Sequence, residues 1–322
     1  MINMKGKKLF LTGGAGFIGS KLCERLCVDN NIVIYDNLKR NSIKDTNLLN
    51  NKSIELIQGD ILDFSHLKKS VREFRPDIVI HLAAIAGIES VIKNPVDTMK
   101  VNMIETYNIL EAIKDYSKAI ERFIDFSTSE VFGVQAYKVN ENSNTNLAPV
   151  GEARWTYSVS KLAGEHLSHS YYKQFGLKVV TVRPFNIYGP GQVGEGAVHQ
   201  FITRAISNQK IQIHGDGDQI RSWCYIDDFI DGIELCLLKD TAIGHSFNIG
   251  NPKGTITIGM LAQLIKQIAG SKSEIVYVPK TYVDVDLRVP SIDKSVELLG
   301  FTPKIQLVEG LEKTIAWYRN FL

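Results

Sequence analysis

Tyr157 and Lys161 stand four residues apart in Tyr-Ser-Val-Ser-Lys, a spacing that puts both side chains on one face of a helix. A phenol with a reference pKa near 10 becomes a base near neutrality only after losing about 3 pH units, roughly 4 kcal/mol. One cation about 4 Å away supplies energy of that order at an effective dielectric of about 20. Lys161 can provide it together with a positively charged cofactor ring. A second group is Ser-Thr-Ser-Glu-Val-Phe-Gly, Ser127 to Gly133, directly after the apolar run 122–126. Thr128 and Ser129 offer hydroxyls, and Glu130 offers a carboxylate suited to general-base work. Taken singly, the Tyr–Lys pair reads equally as an amphipathic surface pair, and Glu130 as a cap. Their occurrence together in one chain favours chemistry.

The third group is Thr-Gly-Gly-Ala-Gly-Phe-Ile-Gly-Ser, from Thr12 to Ser20. It follows an apolar strand and opens a helical pattern. The early glycines, Gly13 among them, permit a tight turn. Gly16 lets backbone approach a pyrophosphate, and Gly19 lets the helix pack on the strand. The helix N-terminus then offers free N–H groups to phosphate. Asp36, twenty residues past Gly16, ends the next strand and suits an adenosine ribose. Its charge opposes a 2′-phosphate and so favours NAD over NADP, although Lys39 and Arg40 nearby can hold a phosphate instead. Asp60, after the third strand, fits the adenine end or a helix cap.

Such groups need a scaffold that brings strand ends together. Short apolar runs at 8–11, 32–35, 54–58, 78–81, 122–126 and 178–182 alternate with helical patterns at 19–28, 67–74, 98–116 and 157–175. Continuous apolar strands between helices predict a parallel sheet covered on both faces. After Arg183 the chain turns rich in glycine and proline, with a short helix at 201–207, a strand at 211–213, a further sheet strand at 245–249 and a last helix at 308–318. The expected fold is α/β: a Rossmann-type doubly wound parallel sheet with a smaller C-terminal α/β substrate-binding lobe. Residues 1–184 form the first domain, with 222–250 returning to it, and 185–221 with 251–322 form the lobe.

The 322 residues, 44% apolar and 22% charged, suit a globular protein, and a net charge of +2 gives no case for nucleic acid or an anionic membrane. No apolar stretch is long enough to span a bilayer, and Leu9-Phe10-Leu11 is too short for a secretory signal. Cys23, Cys27, Cys224 and Cys236 form no C-x-x-C pair, and the reading is a reduced, cytoplasmic protein. The seven histidines show no metal-binding spacing, so no metal is expected.

With these motifs in hand, the chain resembles the extended short-chain dehydrogenases/reductases that act on nucleotide sugars. The likeness covers nearly the whole length: the glycine loop, His-Leu-Ala-Ala at 81–84, Asn102, the segment 127–133, Tyr157 to Lys161, Arg-Pro-Phe-Asn-Ile-Tyr-Gly-Pro-Gly from Arg183, Arg221 to Asp228, and Phe-Asn-Ile-Gly at 247–250. The resemblance implies tightly held NAD, lined by Gly13, Gly16, Phe17, Ile18, Gly19, Asp36, Asn37, Asp60, Ile61, Leu82, Ala83, Ala84, Asn102, Ser127, Tyr157, Lys161 and Pro184. It implies Thr128 at the sugar O4, Tyr157 as base there, and Lys161 on the nicotinamide ribose. Asn186, Arg221 and Arg288 match diphosphate contacts. It also implies a homodimer through a four-helix bundle of the 98–116 and 157–175 helices, although Ile104 and Leu110 can equally face inward.

The family shares oxidation at C4 and then divides. A C4-epimerase needs no further carboxylate. A 4,6-dehydratase needs a base for C5–H and an acid for O6, and Glu130 fits the base. Ser129 departs from the Asp-Glu pair of many dehydratases, while Thr-Ser-Glu resembles the GDP-mannose type, in which Glu130 would serve as base and acid in turn. The leading expectation is therefore a dehydratase of a GDP- or UDP-hexose, GDP-N-acetylglucosamine being one case. The first alternative is a UDP-glucuronate decarboxylase, which likewise carries Thr-Ser-Glu and wants a cation for the extra carboxylate. Arg154 and Arg288 are the candidates. A plain 4-epimerase and a non-catalytic NAD sensor follow.

Overall fold

The computed structural model describes residues 4–44, 46–147, 149–280 and 282–321. The first half alternates as β1 (Lys8–Thr12), α1 (Phe17–Leu26), β2 (Asn31–Asp36), β3 (Ile54–Gln58), α2 (Phe64–Phe74), β4 (Ile78–His81), α3 (Ile88–Lys93), α4 (Pro95–Ile113) and β5 (Arg122–Phe126). Then come β6 (Gln135–Val139), α5 (Thr156–Phe175), β7 (Val179–Pro184), β8 (Ile187–Tyr188), α6 (Ala197–Ile206), β9 (Ile211–His214), β10 (Ile220–Ser222) and β11 (Cys224–Tyr225). The chain continues through α7 (Ile226–Leu238), β12 (Ser246–Ile249), β13 (Thr255–Thr257), α8 (Ile258–Ile268), β14 (Ile275–Val278), β15 (Leu287–Pro290), α9 (Asp293–Leu299) and α10 (Leu307–Arg319).

Seven strands form one parallel sheet in the order β12-β7-β5-β4-β1-β2-β3. Chain order reverses beside β1, the crevice where such sheets bind ligands. The strands are almost wholly buried, as helices on both faces require. On one face α2 and α4 cover Phe10, Val79 and Phe123; on the other, a second cluster runs from Leu9 and Val180 into the lobe at Phe201, Leu261 and Leu311. The lobe therefore shares its core with the sheet.

The strand at 245–249 joins the sheet edge beside β7, as its apolar run predicts. Elsewhere the boundaries move for local reasons. Helix α4 opens at Pro95, where a missing N–H costs nothing. The glycine-rich stretch after Arg183 is not all loop: Ile187–Tyr188 pair with Cys224–Tyr225. The four-stranded sheet β13-β10-β15-β6 takes β6 from within the first 184 residues, so the lobe borrows a strand from the segment assigned to the first domain. Ile104 on α4 is 40% exposed whereas Leu110 is fully buried, so the two positions proposed for the bundle face opposite ways.

Candidate active site

The glycine loop is built around backbone approaches that a side chain would block. Gly13 has φ +72°, and a Cβ there would fall 2.5 Å from the Ala83 nitrogen. At Gly19 a Cβ would lie 2.6 Å from the Gly14 Cα, so helix and loop touch at that residue. At Gly16 the protein fills little of the space: the one neighbour of a Cβ is the Gly13 carbonyl, at 3.4 Å. Gly16 caps α1 with no side-chain bond, and the first turn carries no acid, which leaves N–H groups and a positive dipole end for a phosphate. These features fit a dinucleotide.

Asp36 is held by its own loops: Ala15 N–H donates to one oxygen at 3.0 Å and Leu38 N–H to the other at 2.7 Å. Burial raises its pKa, and those two bonds oppose the rise. Asn37 accepts from Lys39 N–H, and Asp60 from Leu62 N–H, while helix α2 is capped by Asp63. Asp60 is therefore exposed at the strand end and free of the cap. Ile61 behind it is buried. Arg40, a candidate for a 2′-phosphate, instead donates to the Ala86 carbonyl and lies 3.9 Å from Glu195.

Asn102 does not face the cleft. It is fully buried and clasps the Ile85 peptide from both sides, at 2.8 and 3.0 Å, while donating to Ser160. It fixes the loop that carries Leu82, Ala83 and Ala84. His81 acts similarly, bonded to Thr12 and Thr106, and burial keeps it neutral. Phe17 and Ile18 open α1 at the loop, and Pro184 ends β7 beside Ile249.

The reacting end is assembled from four distant segments. Thr128 lies two residues past β5 and accepts from Glu130 N–H at 3.2 Å, which starts the tight turn Ser129–Phe132. Its hydroxyl is near enough to the Tyr157 phenol to favour the ionised form. Ser129 is buried in that turn, and the Ser127 hydroxyl is buried with no partner in hydrogen-bond geometry among the described residues, Glu165 being the carboxylate it faces. Glu130 receives both Arg154 Nη1 and Nη2, at 2.6 and 3.0 Å, and Arg288 Nη1 at 3.5 Å. Arg154 Nη2 also reaches Asp284, which in turn receives Arg221 at 3.2 Å. Burial alone would raise the Glu130 carboxyl. The charges of Arg154 and then Arg288 outweigh it and bring the group down to about 2.

Two expectations change here. Arg221, matched to the diphosphate, is spent mostly on the protein, on the carbonyls of Ile220, Val285 and Asp286. Burial, then the charge of Arg288, lower it to about 10. Tyr157 moves opposite to its expected role: burial, then the Glu130 charge, push the phenol well above its usual value, against the Thr128 hydroxyl. With the protein's own charges alone the phenol stays protonated, so a positively charged ring beside it is needed. Lys161 is buried with its Nζ unpartnered. Asn186 adopts φ +45° and donates to the Ser222 carbonyl. Arg288 is buried, and its Nε and Nη2 have no partner among the described residues. Asp284 was not foreseen; only its place four residues before Arg288 hinted at it. Among the described residues, no group of three His, Cys, Asp or Glu could hold a metal.

Residues 9–250 match the NAD dependent epimerase/dehydratase family. The chain belongs to this family. UDP-glucuronic acid decarboxylase 1 of Xenopus tropicalis is 33% identical over 98% of this chain and 73% of its own length. The dTDP-D-glucose 4,6-dehydratase of Dictyostelium discoideum is 30% identical over 98% and 82%. The structure of UDP-glucuronic acid 4-epimerase from Bacillus cereus, in complex with UDP-glucuronic acid and NAD, superposes with a TM-score of 0.87 at 32% identity, covering 98% of this chain and all of that one. The protein is accordingly an NAD-dependent enzyme of the nucleotide-sugar epimerase, dehydratase and decarboxylase group, and its Rossmann fold is that of these relatives. No helix among the described residues is long and apolar enough to cross a membrane.

Proposed function

We propose that the protein oxidises a nucleotide-linked uronate at C4 and decarboxylates it, giving a nucleotide-linked pentose. The observation that carries this reading is the buried guanidinium of Arg288, with Nε and Nη2 unpartnered beside a Glu130 already held by Arg154. That free edge is a fork for a carboxylate, and its charge acts on Tyr157, at the reacting end of the cleft.

Dehydration would require Glu130 to take the C5 proton. A carboxylate held at about 2 and gripped by two nitrogens of Arg154 is a poor base. Decarboxylation needs no C5 base. NAD, when bound, supplies the hydride acceptor for C4. Tyr157 takes the O4 proton, steadied by Thr128, and Lys161 lies one helical turn along the same helix. In the 4-ketone, the C5–C6 bonding electrons can pass toward the carbonyl as carbon dioxide leaves; C5 then takes a proton, the hydride removed from C4 is returned to C4, and Tyr157 gives the proton back to O4, leaving the pentose. Glu130 is assigned to holding Arg154 and Arg288 in place.

Dehydration remains the second reading, because Glu130 is near enough for its charge to act on Tyr157, and a substrate that drew Arg154 away would free a base. We further assign the exposed Val96, Met103, Ile104, Tyr107 and Val159 of α4 and α5 to a homodimer contact. A cytoplasmic setting accords with four buried free thiols. The test is mass spectrometry of products from a panel of UDP-, GDP- and dTDP-linked hexoses and UDP-glucuronate. Loss of carbon dioxide from the uronate supports the reading; loss of water from a neutral hexose, with the uronate untouched, overturns it.

A further inference from the structure

One row of residues crosses the sheet below the cleft in unbroken register: Thr12, His81, Asp125, Thr181 and Ser246, on β1, β4, β5, β7 and β12. Partners in a parallel register point to the same face. His81 shows which face it is, because its Nε2 lies 3.1 Å from Thr106 on α4. Asp125 therefore points into the layer of α4 and α5. The two helices are clamped there at two levels: Asn102 donates to Ser160 at 3.1 Å, and a Cβ on Gly164 would come 3.1 Å from the Thr106 hydroxyl. Glu105 and Lys161 lie between those levels.

This interior holds an unusual set of charges. Glu105, Asp125 and Lys161 are each at most 3% exposed. Glu105 Oε1, Asp125 Oδ2 and Lys161 Nζ have no partner in hydrogen-bond geometry among the described residues, the Ser168 hydroxyl on α5 being the neutral group that faces Asp125. The other ionisable groups facing them do not supply one. His81 on β4 is neutral and spent on two threonines. Glu165 on α5 is committed to Arg183 of β7, at 2.8 and 3.1 Å. Asp60, after β3, is exposed and adds only like charge. Two ionised carboxylates against one ammonium would leave a net buried negative charge, and two neutral ones an unpaired buried cation. Both are costly. One negative charge shared by the two balances the lysine.

We propose that Glu105 and Asp125 together carry a single negative charge that balances the Lys161 ammonium and holds it in place, which makes them positioning residues for the tyrosine one turn away. The role for catalysis rests on the C4-oxidation reading; the shared charge does not. Burial raises both carboxyls against the charge of Lys161, which accords with a proton held between them.

The test separates the two parts. Chemical denaturation across about pH 5 to 8 is measured for Lys161→Met with the pair intact and for Lys161→Met combined with Glu105→Gln and Asp125→Asn. Without the lysine, the intact pair binds protons more tightly folded than unfolded, so stability should fall with rising pH relative to the triple variant, which carries the same background of other titrating groups. Equal slopes overturn the shared charge, whatever the enzyme's reaction. The second measurement is the pH profile of single-turnover cofactor reduction. Either single variant, Glu105→Gln or Asp125→Asn, should shift the ascending limb, which reports deprotonation of Tyr157, little, because the other carboxylate takes the charge. The double variant should shift it upward by more than one pH unit. A double variant that folds and keeps the parental profile, or a single variant with the full shift, overturns the positioning role. Should the double variant not fold, the denaturation slope of Lys161→Met decides alone.

Discussion

Glu130 and Asp125 stand five residues apart around the end of β5, the first half-buried and the second fully buried, and they differ in charge state. Burial pushes each upward, yet Glu130 comes down to about 2 while Asp125 rises to about 6. The difference lies in the partner. Glu130 meets a two-nitrogen fork from Arg154 and a further contact from Arg288. Asp125 shares one lysine with Glu105 and makes no bond through its buried Oδ2. A carboxylate at a strand end is thus a fixed ion on the cleft side and a proton holder on the helix side, and only the first suits an anchor for arginines.

The comparison breaks hardest at Arg154. Arg154→Met would strip Glu130 of its main partner and should cost about 3–5 kcal/mol, measured as a lower denaturation midpoint. A loss below about 1 kcal/mol would mean that Arg288 suffices. Acid comes next. A carboxyl that falls from its usual 4.5 to about 2 on folding stabilises the protein above the higher value and loses that contribution as pH drops toward the lower. The amount is about 3 kcal/mol. The parent should lose stability steeply between these limits, and Glu130→Gln should lose less over the same interval. The smallest change is expected at Asp125→Asn. With Glu105 free to take the charge, its midpoint near neutrality should move by less than about 1 kcal/mol, the range of changes that break no buried network.

Much of the cofactor side was legible because its signals are local. Gly13, Gly16 and Gly19 lie within one turn and the start of one helix, and Asp36 ends the adjacent strand. The periodicity of the first half placed the parallel strands, since strands buried on both faces are unbroken apolar runs. The reacting end was only half visible. Thr128, Glu130, Tyr157 and Lys161 could be read from two short segments. Their electrostatics could not, because Arg154 and Arg288 reach Glu130, the latter across 158 residues of chain, and Asp284 joins through Arg154. That distance also explains why Arg221 was read as a ligand contact although backbone carbonyls occupy most of it. The lobe was least legible: its own strands have two to four residues, too few for a period, and one of its sheets takes β6 from elsewhere in the chain.

The most direct test of Glu130 as a held ion rather than a proton-abstracting base is the fate of the substrate's C5 hydrogen. UDP-glucuronate and a neutral nucleotide hexose are each incubated with enzyme and NAD in heavy water, and the products are analysed by NMR and mass. The account predicts loss of carbon dioxide from the uronate, with the original C5 hydrogen retained and one deuterium added at C5. Loss of water from the hexose with the C5 hydrogen replaced by deuterium, abolished in Glu130→Gln, would contradict it.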